Sequence, residues 1–247
     1  MAGTMTATTV HAKPTFLLTN NKKGFMIQSI DEYVQSFFDY VKACPKAARV
    51  ADFGVAYGYT SKELLKSGAQ VIANDLSESQ LHELWDTVSE EDRTHLELLP
   101  GNVLEIESIA ENSLDGILAC RWIHFLTGDE LRTILGKFHK WLKPGGLLCV
   151  TAESVHLGSH KVLFDKYLER KGKNEEWPGF VKVKDLTTQR KQHMPESLML
   201  YDTDVLGREV QKAGFAVEKI GYIDRPYYPE DLRNGGQEAI GALANKM

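Results

Sequence analysis

The chain reads as a doubly wound α/β protein built on a mostly parallel sheet, and three observations predict this. Short apolar runs at 49–53, 70–74, 96–99, 114–120 and 147–152 alternate with helical patterns. Each run is continuously apolar rather than alternating, as expected of strands covered on both faces. The first run leads through Gly54 and Gly58 directly into a helix. Doubly wound sheets hold their ligands in the crevice beyond such strand ends.

The elements follow in order. Residues 1–15 are rich in Thr and Ala without period and predict a tail. Val34, Phe37, Phe38 and Val41 share one helical face, Ser29 with Glu32 resembles a capping box, and Pro45 stops the helix. After the first strand, residues 60–66 form a helix closed by Gly68. Ser77 caps a polar helix that runs to about Val88. Leu131, Ile134, Leu135, Phe138 and Trp141 lie on one face of a helix over 128–142. Lys143-Pro144-Gly145-Gly146 then turns into the fifth strand. Residues 154–200 are polar, charged and aromatic, with little period after Arg170, and read as an insertion capping the sheet. A helix near 204–213, a strand at 215–223 and an apolar stretch at 239–244 complete the pattern.

Composition narrows the function. The 247 residues carry a formal net charge of -5. A dedicated nucleic-acid binder or a ligand of anionic membranes shows a basic footprint instead. Cys44, Cys120 and Cys149 are widely spaced and lack metal-site spacing, which predicts reduced buried thiols and no metal. The first residues lack a basic patch followed by an apolar core, and no apolar run approaches the ~18 residues that span a bilayer. The expectation is a soluble, cytoplasmic protein.

The glycine turn carries the chemistry. Glycine permits positive φ and lets the backbone approach a ligand closely. Asp75 ends the second strand, where its carboxylate can accept from two ribose hydroxyls. A nicotinamide dinucleotide would prefer Gly-x-Gly-x-x-Gly. Here the run is Asp52-Phe-Gly-Val-Ala-Tyr-Gly58. Its strand aspartate suits water or backbone near a cationic, amine-bearing ligand. The nicotinamide-dependent reductase alternative also predicts a Tyr-x-x-x-Lys pair, and none stands in a suitable place.

Taken with Asp75, Gly101-Asn102-Val103, 114–119 and Trp141-Leu-Lys-Pro-Gly-Gly146, this run resembles the ordered motifs of class I S-adenosylmethionine-dependent methyltransferases. The match covers about residues 48–152, with the Ala213-Gly214-Phe215 turn beyond it. The resemblance implies a seven-stranded, Rossmann-like sheet with helices on both faces and a helical or loop cap. It divides the chain into an N-terminal tail and lid segment (1–28), a cofactor-binding core (29–153), a cap insertion (154–200) and a C-terminal helix and strands (201–247).

It also implies roles by position. Asp52, Gly54, Ala56 and Gly58 cradle the methionine moiety of S-adenosyl-L-methionine, with Asp52 reaching its amino group through water. Asp75 holds the ribose hydroxyls and Leu76 packs on the adenine. Asn102 and Val103 border the adenine, and Cys120 and Arg121 lie beside the transferred methyl. Ala56 stands where the family has glycine, and Asn102 where aspartate is more common. The product is S-adenosyl-L-homocysteine.

Methyl transfer needs alignment first, and a base only where the acceptor loses a proton. His124 is the nearest such base, and Glu153, after the fifth strand, is a second candidate. For both, the structural reading outweighs the catalytic one on sequence grounds: a histidine packed below the site, and a solvated or helix-capping acid. The Asn/Asp-Pro-Pro-aromatic turn of nucleobase and amide methyltransferases is missing after the fourth strand. A small-molecule oxygen or nitrogen acceptor is therefore expected. The alternatives are a protein side chain, or a module that binds the cofactor without turnover. Phe25, Met26, Tyr33 and Phe37 form a helix expected to close over the site. Lys161, Tyr167, Arg170, Trp177, Arg190, His193 and Tyr201 are available to line a lid.

Overall fold

The computed structural model describes residues 16–19, 25–186 and 189–247. The expected tail at 1–15 lies outside the described residues. The strands are β1 (Phe16–Leu18), β2 (Phe25–Ile27), β3 (Arg49–Phe53), β4 (Gln70–Asp75), β5 (Leu96–Pro100), β6 (Leu114–Cys120), β7 (Leu142–Glu153), β8 (Phe180–Lys182), β9 (Ser197–Met199), β10 (Phe215–Ile223) and β11 (Ala239–Lys246). The helices are α1 (Glu32–Ala43), α2 (Tyr59–Lys66), α3 (Glu78–Thr87), α4 (Glu90–Arg93), α5 (Gly128–Trp141), α6 (Phe164–Gly172) and α7 (Thr203–Lys212).

Seven strands form the central sheet in the order β10-β11-β7-β6-β3-β4-β5. Only β11 runs against its neighbours, pairing antiparallel with both β7 and β10. The doubly wound, mostly parallel sheet expected from the sequence is therefore the observed one. Strand order reverses between the parallel neighbours β3 and β6, and their C-terminal ends open the crevice.

Strand periodicity sends neighbouring residues to opposite faces. Val50 joins the apolar layer under α1, α2 and α3, while Ala51 and Phe53 join the layer under α5 and α7. In α5 the five apolar residues named above are all at most 2% exposed. Burying each contributes about 1.5–3 kcal/mol. Thr127 and Glu130 close the capping box at the start of α5.

Three sequence expectations are corrected. Asp31, rather than Ser29, caps α1: its carboxylate accepts from the backbone N–H of Tyr33 and Val34. Phe25 and Met26 belong to β2, not to a helix. Tyr33 and Phe37 do not close over the crevice. They are at most 2% exposed beneath the sheet, where a Cβ on Gly241 would lie 2.6 Å from Tyr33 Cγ. The reason is packing: glycine in β11 opens a notch that an aromatic ring fills.

Residues 154–200 carry their own apolar cluster, centred on Val155, Tyr167, Val181, Val183, Leu198 and Leu200. β8 and β9 pair antiparallel within it. Among the described residues no helix is long and apolar enough to cross a membrane.

Candidate active site

The β3 turn is built from its backbone outward. Gly54 and Gly58 have φ of 71° and 72°, and Ala56 joins them at 49°. A left-handed alanine costs about 1 kcal/mol or more. The compensation is visible: the Ala56 N–H donates to Asp75 Oδ2 at 2.8 Å. Asp75 Oδ1 accepts from the Ser77 N–H at 2.9 Å. Asp75 thus clamps the turn to the end of β4. Burial pushes its carboxyl up, and backbone donors including Ser77 and Ala56 pull it back.

Asp52 is 1% exposed. Its Oδ2 accepts from Thr60 Oγ1 and Ser61 Oγ, each at 2.7 Å. Burial raises its pKa to about 6, against those two bonds and the charge of Arg121. Hydroxyls at the start of α2 therefore take the oxygen that the sequence left to water.

Around the adenine-side candidates the outcome is mixed. Leu76 is 61% exposed, an apolar side chain standing open beside Asp75. A Cβ on Gly101 would meet nothing within 4 Å, so the space past β5 is open. Asn102 Oδ1 accepts from the Leu104 N–H at 3.1 Å, so its amide oxygen caps the following turn. Val103 is buried in the main core.

At the end of β6 the chain is strained. Arg121 has φ of 61°, and its N–H donates to the Thr151 carbonyl at 2.9 Å. Its Nη2 donates to the Ile27 carbonyl of β2 at 2.9 Å, while Nη1 is buried without a partner. Cys120 Sγ lies 3.3 Å from Thr151 Oγ1. Trp122 lies against Gly54, where a Cβ would come within 2.5 Å of its ring. Its indole Nε1 is also buried and unpartnered.

His124 is 5% exposed, and burial lowers its pKa to about 3, with the charges of His160 and Arg121 adding to the effect. Its Nδ1 has no partner. Such an imidazole is neutral at physiological pH and weakly basic. Glu153 ends β7, with Oε1 accepting from the Tyr228 hydroxyl at 3.2 Å and Oε2 buried without a partner. Burial pushes the Glu153 carboxyl up, while Arg225, the Tyr228 bond and Arg121 hold it down. His160 presents an unpartnered buried Nε2, and burial lowers its pKa to about 4.

Tyr228 and His160 were not reached from the sequence. The Arg225-Pro226-Tyr227-Tyr228-Pro229 run was the available signal, since aromatics between prolines seldom fill a plain solvent loop. Its loop is anchored by Arg225, which is fully buried and paired with Asp31 at 2.7 Å.

The residues available to line a lid fall at several separate places. Tyr201 is fully buried and donates to the Ile123 carbonyl, in the core rather than over the crevice. Tyr167 donates to Asp202, which also pairs with Lys171. This answers the one Tyr-x-x-x-Lys spacing in the cap: both side chains serve a helix cap. Trp177 is covered by Arg132 and Arg208, 4.9 and 5.4 Å from its ring. Trp177 and Arg170 line a separate cavity of about 710 Å³ at the start of α5. His193 meets Phe25 edge-on at 6.0 Å, joining the cap to the N-terminal hairpin. The side chain of Arg190 lies outside the described residues. Among the described residues no three His, Cys, Asp or Glu side chains converge as a metal site would require.

Residues 51–150 match the family model described as a methyltransferase domain. Over this stretch the chain is similar to methyltransferase domains. The match spans β3 through most of β7, the strands that carry the glycine turn and Asp75. Phosphoethanolamine N-methyltransferase 1 of Triticum aestivum is 26% identical over 108 residues, 43% of this chain. That match spans only 22% of the wheat enzyme's length.

Among solved structures, a methyltransferase from Methanosarcina mazei matches with a TM-score of 0.67 at 15% identity, covering 88% of this chain and 99% of its own. A second, 1,6-didemethyltoxoflavin-N1-methyltransferase from Burkholderia thailandensis, was solved with its substrate and S-adenosylhomocysteine. It matches with a TM-score of 0.61 at 16% identity, covering 88% of this chain and 79% of its own. At these identities the structural likeness is one of fold.

Proposed function

We propose that this methyltransferase moves a methyl group from S-adenosylmethionine to a nitrogen or oxygen of a small molecule. The observation that carries this is a group of buried polar atoms without hydrogen-bond partners near the ends of β6 and β7, beside the glycine turn. Arg121 Nη1, His124 Nδ1, Glu153 Oε2 and His160 Nε2 all lack partners there. An unmade hydrogen bond at a buried group costs about 1–3 kcal/mol. Such atoms together suit a polar ligand of few atoms better than an extended chain. The names of the wheat and Burkholderia relatives, both of them small-molecule N-methyltransferases, agree with this reading.

The residues present fit the cofactor. The turn of Gly54, Ala56 and Gly58 offers backbone to the methionine moiety, with Asp52 behind it. Asp75 keeps lone pairs for the ribose hydroxyls. Leu76 presents apolar surface to a base, and Gly101, Asn102 and Val103 leave room beside it. Cys120 and the Arg121 backbone lie at the methyl end. When bound, S-adenosylmethionine supplies an electrophilic sulfonium methyl. Glu153 accepts the proton from the acceptor N–H or O–H through its free Oε2. His124, neutral and weakly basic, orients the acceptor rather than deprotonating it.

Calorimetry tests the reading. S-adenosylhomocysteine should bind, and Asp75→Ala should weaken it by roughly 10- to 100-fold, the loss of hydrogen bonds to a charged group. Absence of binding by the wild type would sink the proposal.

A further inference from the structure

Arg121 and Glu153 form an incomplete pair. They end adjacent strands: β6 pairs with β7 through Cys120 and Thr151, and Glu153 follows two residues on. Among the described residues neither forms an ion pair within 4.0 Å. Arg121 spends one nitrogen on the Ile27 carbonyl and keeps Nη1 buried and free. Glu153 spends one oxygen on the Tyr228 hydroxyl and keeps Oε2 buried and free. The other buried cation nearby, Arg225, is already neutralised by Asp31.

Arg121 is half-buried, but its Nη1 is enclosed without a partner, and such a guanidinium donor calls for an anion. A buried carboxylate with a free oxygen calls for an N–H or O–H donor. The two atoms lie at neighbouring strand ends, close enough for the charge of Arg121 to act on Glu153 and on His124, and His124 and His160 add further unpartnered nitrogens. Direct pairing would have satisfied both ends, yet they stand apart.

We propose that the methyl acceptor is an anionic amine or alcohol, its carboxylate or phosphate held by Arg121 and its N–H or O–H by Glu153. This rests on the methyltransferase reading and names the acceptor class of that site. Arg121 then acts through its side chain on the acceptor, while its backbone borders the cofactor.

The test is a nuclear magnetic resonance titration at constant ionic strength, following the indole N–H of Trp122, assigned with Trp122→Phe. Sodium acetate, inorganic phosphate and the uncharged isostere acetamide are the probes. Each is added to the ligand-free protein and to protein saturated with S-adenosylhomocysteine. Acetate or phosphate should give a saturable shift in both forms, acetamide none, and the tighter anion assigns carboxylate or phosphate. Arg121→Gln should weaken that anion at least tenfold.

Equal responses to acetate and acetamide, or no saturable shift, would overturn the proposal without requiring any variant to fold. A tenfold loss of S-adenosylhomocysteine affinity in Arg121→Gln would overturn it too, by giving Arg121 to the cofactor. Failure of S-adenosylhomocysteine to bind at all refutes the methyltransferase reading instead, and the ligand-free titration still decides whether Arg121 holds an anion.

Discussion

Asp52 sits in the interior of β3 with two hydroxyls on one oxygen, and it is costly there. Burial holds its pKa at about 6, against roughly 4 in an unfolded chain. Between those values the unfolded chain has lost the proton and the folded one keeps it. Stability therefore falls as pH rises from about 4 to 6, by on the order of 3 kcal/mol, and stays lower above. Asp52→Asn removes the charge and still accepts from Thr60 and Ser61. Urea unfolding should find it more stable than the wild type at pH 8 and no more stable at pH 4. The same gain at both pH values would contradict the assignment. The identity of Asp52, Gly54, Gly58 and Asp75 was legible because each obeys a local rule of turn geometry or strand ends. The partners of Arg121 and Glu153 were not, because Ile27 and Tyr228 come from two distant segments.

At the element scale, α1 shows how a local signal is outvoted. Ser29 and Glu32 have capping-box spacing, yet Asp31 both caps the helix and pairs with Arg225. Asp31→Ala removes a cap worth about 1 kcal/mol. It also strands a fully buried guanidinium, which costs about 3–5 kcal/mol. Denaturant titration should show a loss of several kcal/mol, against under about 0.5 kcal/mol for Ser29→Ala. Comparable losses in the two variants would restore the sequence reading of the cap. The segment 154–200 was the least readable for a related reason. Its short helix, hairpin and turns draw their order from one shared apolar cluster, and periodicity does not report on clusters assembled from one- and two-turn pieces.

At the scale of the whole molecule, the crevice joins strands that the chain visits far apart, so a ligand there should stabilise the entire fold. S-adenosylhomocysteine at 100 times its Kd contributes about 2.7 kcal/mol. For a chain of this size that raises Tm by roughly 5–10 °C. Thermal melts at increasing concentration should rise logarithmically, and a Tm independent of concentration would exclude binding to the native state alone. The sequence by itself determined the parallel sheet, its helices, the glycine turn and the carboxylate at the end of β4. Those follow from periodicity, backbone permissiveness and residue spacing, all local along the chain. Tertiary structure alone decided that Trp122 covers Gly54, that Tyr33 and Phe37 belong to the core, and that Arg121 and Glu153 each keep a buried polar atom unpartnered at adjacent strand ends. Those facts depend on which faces meet and which polar atoms are left unmatched after packing, and no window along the chain contains both sides of such a contact.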